Sequence, residues 1–474
     1  MPELLQPDIC VIGAGSGGLS VAAAAAAFGV PVVLIEKHRM GGDCLNTGCV
    51  PSKALIAAAH RARMVRTGAA LGVTAGNVAV DFGKVHAHVQ GVIGAIAPND
   101  SVERFTGLGV RVIQGEARFI DAGTVVVDER FEIRARRFVV ATGSAPFVPP
   151  ISGLDGAAYL TNETIFDLKK CPGHLIVIGA GPIGLELAQA FRRLGAKVTV
   201  VEAAKALAKE DAECAGIVLQ RLAAEGVDLR TGRKIVSVRG GTTVEVTVET
   251  ENGTETISGS HLLVATGRRP TVEGLDLDKA GIRYEDKGIV VDKSLRTTNR
   301  KVYAIGDVAD GLQFTHAANY HAGLVIRNAL FRLPVSVNND LVPRVTFTDP
   351  ELAHVGLDEA QAKERYNAIR ILRWPFHEND RAQTERDTTG HIKIVTSRRG
   401  KILGVTIVGS QAGELIAAWV LAVTQGLNIR AMTGVVLPYP TRAAAGKRAA
   451  IDFFAPGLTS PWLRRIISLL RKFG

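Results

Sequence analysis

Five cysteines in a chain of 474 residues are too few and too scattered to staple it, and only Cys44 and Cys49 stand close together. A secreted disulfide scaffold is therefore excluded. Apolar runs are short as well: the alanine-rich stretch from Val21 to Phe28 falls far below the roughly 20 residues a membrane-spanning helix needs. The start, MPELLQPDICVIG, carries acidic residues and passes straight into a strand-like stretch without a cleavage region, so no leader is expected and the cytoplasm is the expected compartment. Aromatic residues make up only 5% of the chain. No zinc knuckle, helix-turn-helix signature or aromatic-basic RNA motif is present, so nucleic acid is not expected as a partner. The formal charge of +10 then reads as a diffuse excess on a nucleotide-binding protein.

Glycine is what the chain has in plenty. Its 51 glycines cluster in short motifs, and the central motif occurs twice. Residues 9–18 read ICVIGAGSGG, with Gly13, Gly15 and Gly18; residues 175–184 read LIVIGAGPIG, with Gly179, Gly181 and Gly184 in the same spacing. Each is followed by a helix-like segment and a second strand that ends in an acid, Glu36 or Glu202, 23 residues after the first glycine. A lone GxGxxG is a weak signal. Here strand, helix and terminal acid accompany both copies, as a dinucleotide-binding βαβ unit requires. The first glycine permits the tight turn, the second admits pyrophosphate over the helix N-terminus, and the third lets helix and strand pack closely. A second element also repeats: FVVATG ends at Gly143 and LLVATG at Gly267. The first nucleotide domain then resumes at VYAIGD, whose Asp307 follows a strand and a glycine turn and is placed to bind a polyol hydroxyl.

Between the first βαβ unit and its return lies GGDCLNTGCVPSK, residues 41–53, which the second copy lacks. Cys44 and Cys49 sit around a glycine-containing turn at an expected helix start, a place that lowers a thiol pKa. A close thiol pair beside a redox cofactor can cycle between dithiol and disulfide. Zinc would need four ligands and no second pair is placed to supply them, so no metal site is expected. Cys10, Cys171 and Cys214 read as structural.

In these residues the chain resembles the pyridine nucleotide-disulfide oxidoreductases along nearly its whole length. PELAHVG, residues 350–356, is similar to the opening of that family's dimerisation domain. The resemblance implies an α/β architecture: two Rossmann-like dinucleotide-binding domains plus a C-terminal α+β dimerisation domain. The expected boundaries are 1–150 with 275–340 for FAD, 151–274 for the nicotinamide cofactor and 341–474 for dimerisation. It implies a homodimer in which each active site is completed by the partner's C-terminal domain. It also implies roles. Cys49 faces the flavin as a thiolate, Cys44 is the interchange thiol, and Lys53 sits by the flavin paired with Glu186. Gly13, Gly15, Gly18, Glu36, Gly143 and Asp307 hold FAD; Gly179, Gly181, Gly184 and Glu202 hold the nicotinamide dinucleotide, with Gly267 in the matching return turn. His316, in FTHAANYHAG, reads first as a packing or flavin-contact residue and second as a substitute base. The Glu202 carboxylate would repel a 2′-phosphate, and no arginine follows it within several residues, so NADH is favoured with NADPH as the alternative.

The chain departs from the family at LPYPTRAAAGKRAA, residues 437–450. Tyr439 stands in place of the family's acid-base histidine and Ala444 in place of the glutamate that orients it. Mercuric reductases share the tyrosine but normally add a cysteine pair at the extreme C-terminus, whereas the last cysteine here is Cys214. The expected function is transfer of electrons from NAD(P)H through FAD to the Cys44–Cys49 disulfide. The onward acceptor is a metal ion, as in mercuric reductases, or a small-molecule disulfide. Alternatives are dihydrolipoamide dehydrogenase-like activity, quinone reduction without the disulfide, and a non-enzymatic nicotinamide-sensing membrane adaptor, against which the intact cysteine pair argues. Finally, residues 459–474, TSPWLRRIISLLRKFG, place Trp462, Leu463, Ile466, Ile467, Leu470 and Phe473 at helical spacing, largely apart from Arg464, Arg465, Arg471 and Lys472. Packing on the dimerisation domain or the partner subunit is the favoured reading; peripheral contact with the inner face of the membrane is the second.

Overall fold

The computed structural model describes residues 2–458 and 460–473; Thr459 and Gly474, at the two ends of the tail segment, lie outside the described residues. Residues up to 205 together with 226–339 form one compact unit, and 206–225 with 340 onward form another.

The first unit repeats one plan. The strand Ile9–Ile12 is buried on both faces, as its uninterrupted apolar run requires of a central parallel strand. It pairs in parallel with Val32–Glu36 on one side and Arg137–Val140 on the other; Arg111–Gln114 and Val302–Ala304 complete five parallel strands. In the second copy His174–Ile178 pairs with Lys197–Glu202 and with His261–Val264, and Val227–Thr231 adds a fourth parallel strand. Each sheet is accompanied by an antiparallel meander. One has Ala117–Asp121, Thr124–Val127 and Phe131–Ile133; the other has Ile235–Arg239, Val244–Thr250 and Gly253–Gly259.

Alternation along the strands divides the core into faces. Cys10, Ile12, Val33, Ile35, Phe138 and Val140 pack with Phe119, Val125 and Ile133 of the meander. Ile9, Val11, Val32, Leu34 and Val139 turn the other way and pack on the helices Ser16–Ala27 and Thr315–Phe331, through residues such as Val21, Ala22, Ala322 and Val325. The glycine turns follow the C-terminal ends of Ile9–Ile12, Arg137–Val140, His174–Ile178 and His261–Val264, so both candidate cradles open at the same kind of sheet edge.

The second unit holds a five-stranded antiparallel sheet in the order Arg344–Thr346, Glu351–Gly356, Ile402–Gly409, His391–Ser397, Ile369–Pro375. The helix Ala212–Ala224 belongs to this unit. Its N-cap Asp211 accepts from the backbone of Glu213 and Cys214 and also meets buried Lys393 at 2.7 Å. Glu359 stands 3.0 Å from the same ammonium. Lys393 is 4% exposed, and a charge so enclosed persists only because several carboxylates surround it. Among the described residues, no helix is long and apolar enough to cross a membrane.

Candidate active site

The two glycine motifs are near-copies in space. Gly13 has φ +103°, where a Cβ would lie 2.4 Å from the Ala141 carbonyl oxygen; a Cβ on Gly18 would lie 1.9 Å from the Gly13 oxygen. At the second site the values are φ +105° and 2.4 Å for Gly179, against Ala265, and 2.0 Å for Gly184. The middle glycines differ in kind. Gly15 and Gly181 each cap a helix, Ser16–Ala27 and Pro182–Leu194, and a Cβ on either would meet nothing within 4 Å. Both cradles therefore leave free space directly over a helix N-terminus, which suits a pyrophosphate. The return turns also need glycine, with φ +69° at Gly143 and +138° at Gly267.

The terminal acids are held alike. Glu36 accepts from the backbone N–H groups of Ala14 (2.7 Å) and His38 (2.8 Å). Glu202 accepts from Ala180 (2.9 Å) and Ala204 (2.8 Å). In each case backbone donors fix the carboxylate beside the cradle, ready to accept from ribose hydroxyls. The backbone N–H of Arg233 donates to the Glu202 carbonyl oxygen at 3.0 Å, so an arginine stands at the end of a neighbouring segment. Inspection of the residues after Glu202 in sequence could not show it.

The cysteine segment folds as two helices: Gly42–Asn46 carries Cys44, and Cys49 is the first residue of Cys49–Thr67. Cys44 is half-buried and Cys49 exposed. A hydrogen bond between the two thiols separates their acidities. It raises Cys44, assisted by burial, and lowers Cys49 to about 6. The Thr315 hydroxyl, 3.4 Å from the Cys49 sulfur, and the Lys53 charge lower Cys49 further, against partial desolvation by the protein around the sulfur, which persists although the residue as a whole is exposed. Lys53 lies one turn along the same helix and meets Glu186 at 2.8 Å. That carboxylate is 5% exposed and comes from the helix that opens at the second cradle. The structure thus brings Cys44, Cys49, Lys53 and Glu186 into one neighbourhood spanning both nucleotide motifs.

Asp307 accepts from the Ser144 hydroxyl at 2.6 Å, and burial raises its pKa. Arg268, which the sequence did not flag, ties this region together. Its guanidinium donates to the Ser144 hydroxyl and carbonyl, both at 2.7 Å, and lies 3.8 Å from Asp307 and 3.4 Å from Asp43. Asn162 and Thr315 were missed as well; Asn162 donates to Asp43 at 3.0 Å. The position of Arg268 directly after the second ATG was the one signal available. His316 is exposed and stacks on Phe314 with ring centroids 5.3 Å apart. Tyr439 belongs to the second unit and is 79% exposed; its hydroxyl donates to Asp380 at 2.9 Å, which raises its pKa. Ala444 opens the helix that follows and offers no acid.

Comparison with known proteins agrees with this geometry. The description of the pyridine nucleotide-disulphide oxidoreductases matches residues 7–322, and that of their dimerisation domain matches 342–450. The chain is 37% identical to a mercuric reductase of Bacillus cereus over 450 residues, covering 94% of this chain and 71% of the other. It is 35% identical to a dihydrolipoyl dehydrogenase of Geobacillus stearothermophilus over 454 residues, covering 94% and 96%. Among solved structures, the HOCl-induced flavoprotein disulfide reductase RclA of Escherichia coli superposes with a TM-score of 0.83 at 28% identity, covering 94% of this chain and 99% of that one.

Proposed function

The chain belongs to the pyridine nucleotide-disulphide oxidoreductases, FAD-dependent enzymes that take electrons from NAD(P)H, and within that family we propose that it is an NADH-dependent reductase of a thiol-binding metal ion such as Hg(II). Bound FAD supplies the two-electron relay between the nicotinamide and the Cys44–Cys49 disulfide. The residues fit that group: Gly13, Gly15 and Gly18 leave the pyrophosphate cradle open, and Glu36, Gly143 and Asp307 surround it with ribose and ribityl acceptors and a return turn. Gly179, Gly181, Gly184, Glu202 and Gly267 form the nicotinamide cradle, and the fixed Glu202 carboxylate disfavours a 2′-phosphate.

On reduction the S–S bond of Cys44–Cys49 breaks. The pair takes up two electrons and one proton, leaving Cys49 as thiolate and Cys44 as thiol, which is the state the mutual hydrogen bond favours. The Lys53 ammonium stabilises the Cys49 charge while Glu186 fixes the lysine. His316 serves as a cofactor-side contact. In the homodimer that the dimerisation domain builds, Tyr439 of one chain serves the cysteine pair of the other. In the net reaction NADH yields NAD+, one proton and two electrons, and Hg(II) takes the two electrons as Hg(0).

The observation that carries the choice of acceptor is Tyr439. Disulfide exchange needs a proton delivered to the leaving thiolate near neutral pH, and a phenol is a weak donor there. The Asp380 hydrogen bond raises its pKa further. A metal ion held by thiolates needs no such proton. The test is anaerobic reduction by NADH followed by stopped-flow reoxidation with Hg(II), lipoamide, glutathione disulfide and a quinone. Hg(II) should reoxidise the enzyme fastest. Turnover above about 100 per second on lipoamide or glutathione disulfide would overturn the assignment.

A further inference from the structure

Beyond Asp452 the sequence contains no acidic residue, and the helix Pro461–Leu470 has no buried side chain. At the 3.6 residues per turn of an α-helix, Trp462, Leu463, Ile466, Ile467 and Leu470 fall within one arc of about 140°. Arg464 and Arg465 fall in the opposite arc, where Arg471 and Lys472 continue it. Leu463 and Ile466 are partly covered, but most of the arc faces water: Trp462 is 70% exposed, Ile467 48% and Leu470 61%. A folded chain leaves such a stripe in water only when something else covers it. The family's dimerisation domain matches only as far as residue 450, so the helix lies beyond the part of the chain that this match assigns to subunit pairing.

We infer that Pro461–Leu470 is an interfacial helix that docks the enzyme on an anionic lipid surface. Two features favour lipid over a second protein surface. The polar face carries Ser468 and only positive charge, which complements anionic headgroups. Tryptophan stands in the first turn, where its ring can lie at headgroup depth while the aliphatic side chains enter the acyl boundary. Four basic residues with one short apolar stripe give reversible attachment, so the enzyme can leave and return.

The experiment uses the full-length holoenzyme and floats it with vesicles of phosphatidylglycerol or of phosphatidylcholine alone. Binding should be found with the anionic vesicles and should fall as salt rises from about 0.05 to about 0.5 M, over which the screening length drops below about 5 Å. Arg464→Glu together with Arg465→Glu should lower the partition coefficient on the order of 25-fold or more, from about fivefold per basic residue removed. Trp462→Ala should weaken binding to both salt conditions alike. Removal of residues 459–474 should abolish flotation while dimer mass and FAD content are unchanged. Equal binding to both vesicle types, or none to either, would overturn the inference. So would a double-glutamate or truncated variant that loses the dimer, which would assign the stripe to the partner subunit.

Discussion

The two halves of the first unit carry the same cradle, yet they surround it differently. Glu36 is 9% exposed, whereas Glu202, held by equivalent backbone donors, is only partly covered. The first copy continues into the cysteine helices and resumes at Asp307; the second passes from Glu202 toward the helix Ala212–Ala224, which departs to the other unit. Under the proposed function, this difference separates a site that retains its nucleotide from one that exchanges it. An enclosed acid and a chain that returns to the same cradle favour a resident cofactor. A more open acid favours one that enters and leaves each turnover. Lys53 and Glu186 join the two, one side chain from the insertion in the first copy and one from the opening helix of the second.

The largest effect that could break this division is at the cysteines. Cys44→Ser and Cys49→Ser should each cut NADH-driven acceptor turnover by about three orders of magnitude. The rate at which NADH bleaches the flavin should stay within about twofold, because a well-placed nucleophile contributes to one half-reaction only. Next come the paired glycines. Gly18→Ala and Gly184→Ala create nearly the same clash, 1.9 and 2.0 Å, and each should cost about 1–3 kcal/mol of stability. Their other consequences should separate: Gly18→Ala purifies with little FAD, while Gly184→Ala keeps FAD and shows a raised KM for NADH. If both lose FAD equally, the assignment of the cradles fails. Glu202→Ala should narrow the NADH-over-NADPH preference in kcat/KM by about tenfold, or roughly 1.4 kcal/mol. Glu36→Ala should leave that preference where it was.

A smaller and sharper test is pH. Cys49 has its pKa lowered to about 6, below that of an ordinary thiol, so in the reduced enzyme the thiolate persists above that value and is lost as pH falls through it. Iodoacetamide labelling of Cys49 should therefore fall with a midpoint near 6, while Cys44, whose pKa is raised, labels slowly throughout. The least effect is expected from Tyr439→His, which should restore disulfide turnover by less than about tenfold, since Ala444 still supplies no carboxylate.

The doubled motif was legible because its requirements are local. Gly18 and Gly184 are fixed by backbone contacts within their own βαβ units, and Gly13 and Gly179 by the return turns at Ala141 and Ala265, which repeat as ATG; sequence spacing records both signals. The Lys53–Glu186 pair, 133 residues apart, was reached only through resemblance. Arg268, Asn162 and Thr315 were not reached at all: their roles come from side chains converging on Asp43, Ser144 and Cys49 across distant segments, and a single arginine or threonine carries no periodic signal. The same holds for Arg233, brought beside Glu202 by strand order and not by proximity in the chain. The thiol acidities were half legible. A lowered pKa at a helix start could be expected for Cys49, but the opposite shift at Cys44 depends on one thiol donating to the other.

The central claim is that electrons from the nicotinamide reach the Cys44–Cys49 pair, and differential alkylation tests it most directly. The oxidised holoenzyme is treated with iodoacetamide, then reduced anaerobically with one equivalent of NADH per chain, treated with an isotopically distinct reagent and mapped by mass spectrometry. The account predicts that the second label appears quickly on Cys49, more slowly on Cys44 and on no other cysteine, while the flavin absorbance returns to its oxidised form. A bleached flavin with neither cysteine newly labelled would contradict it.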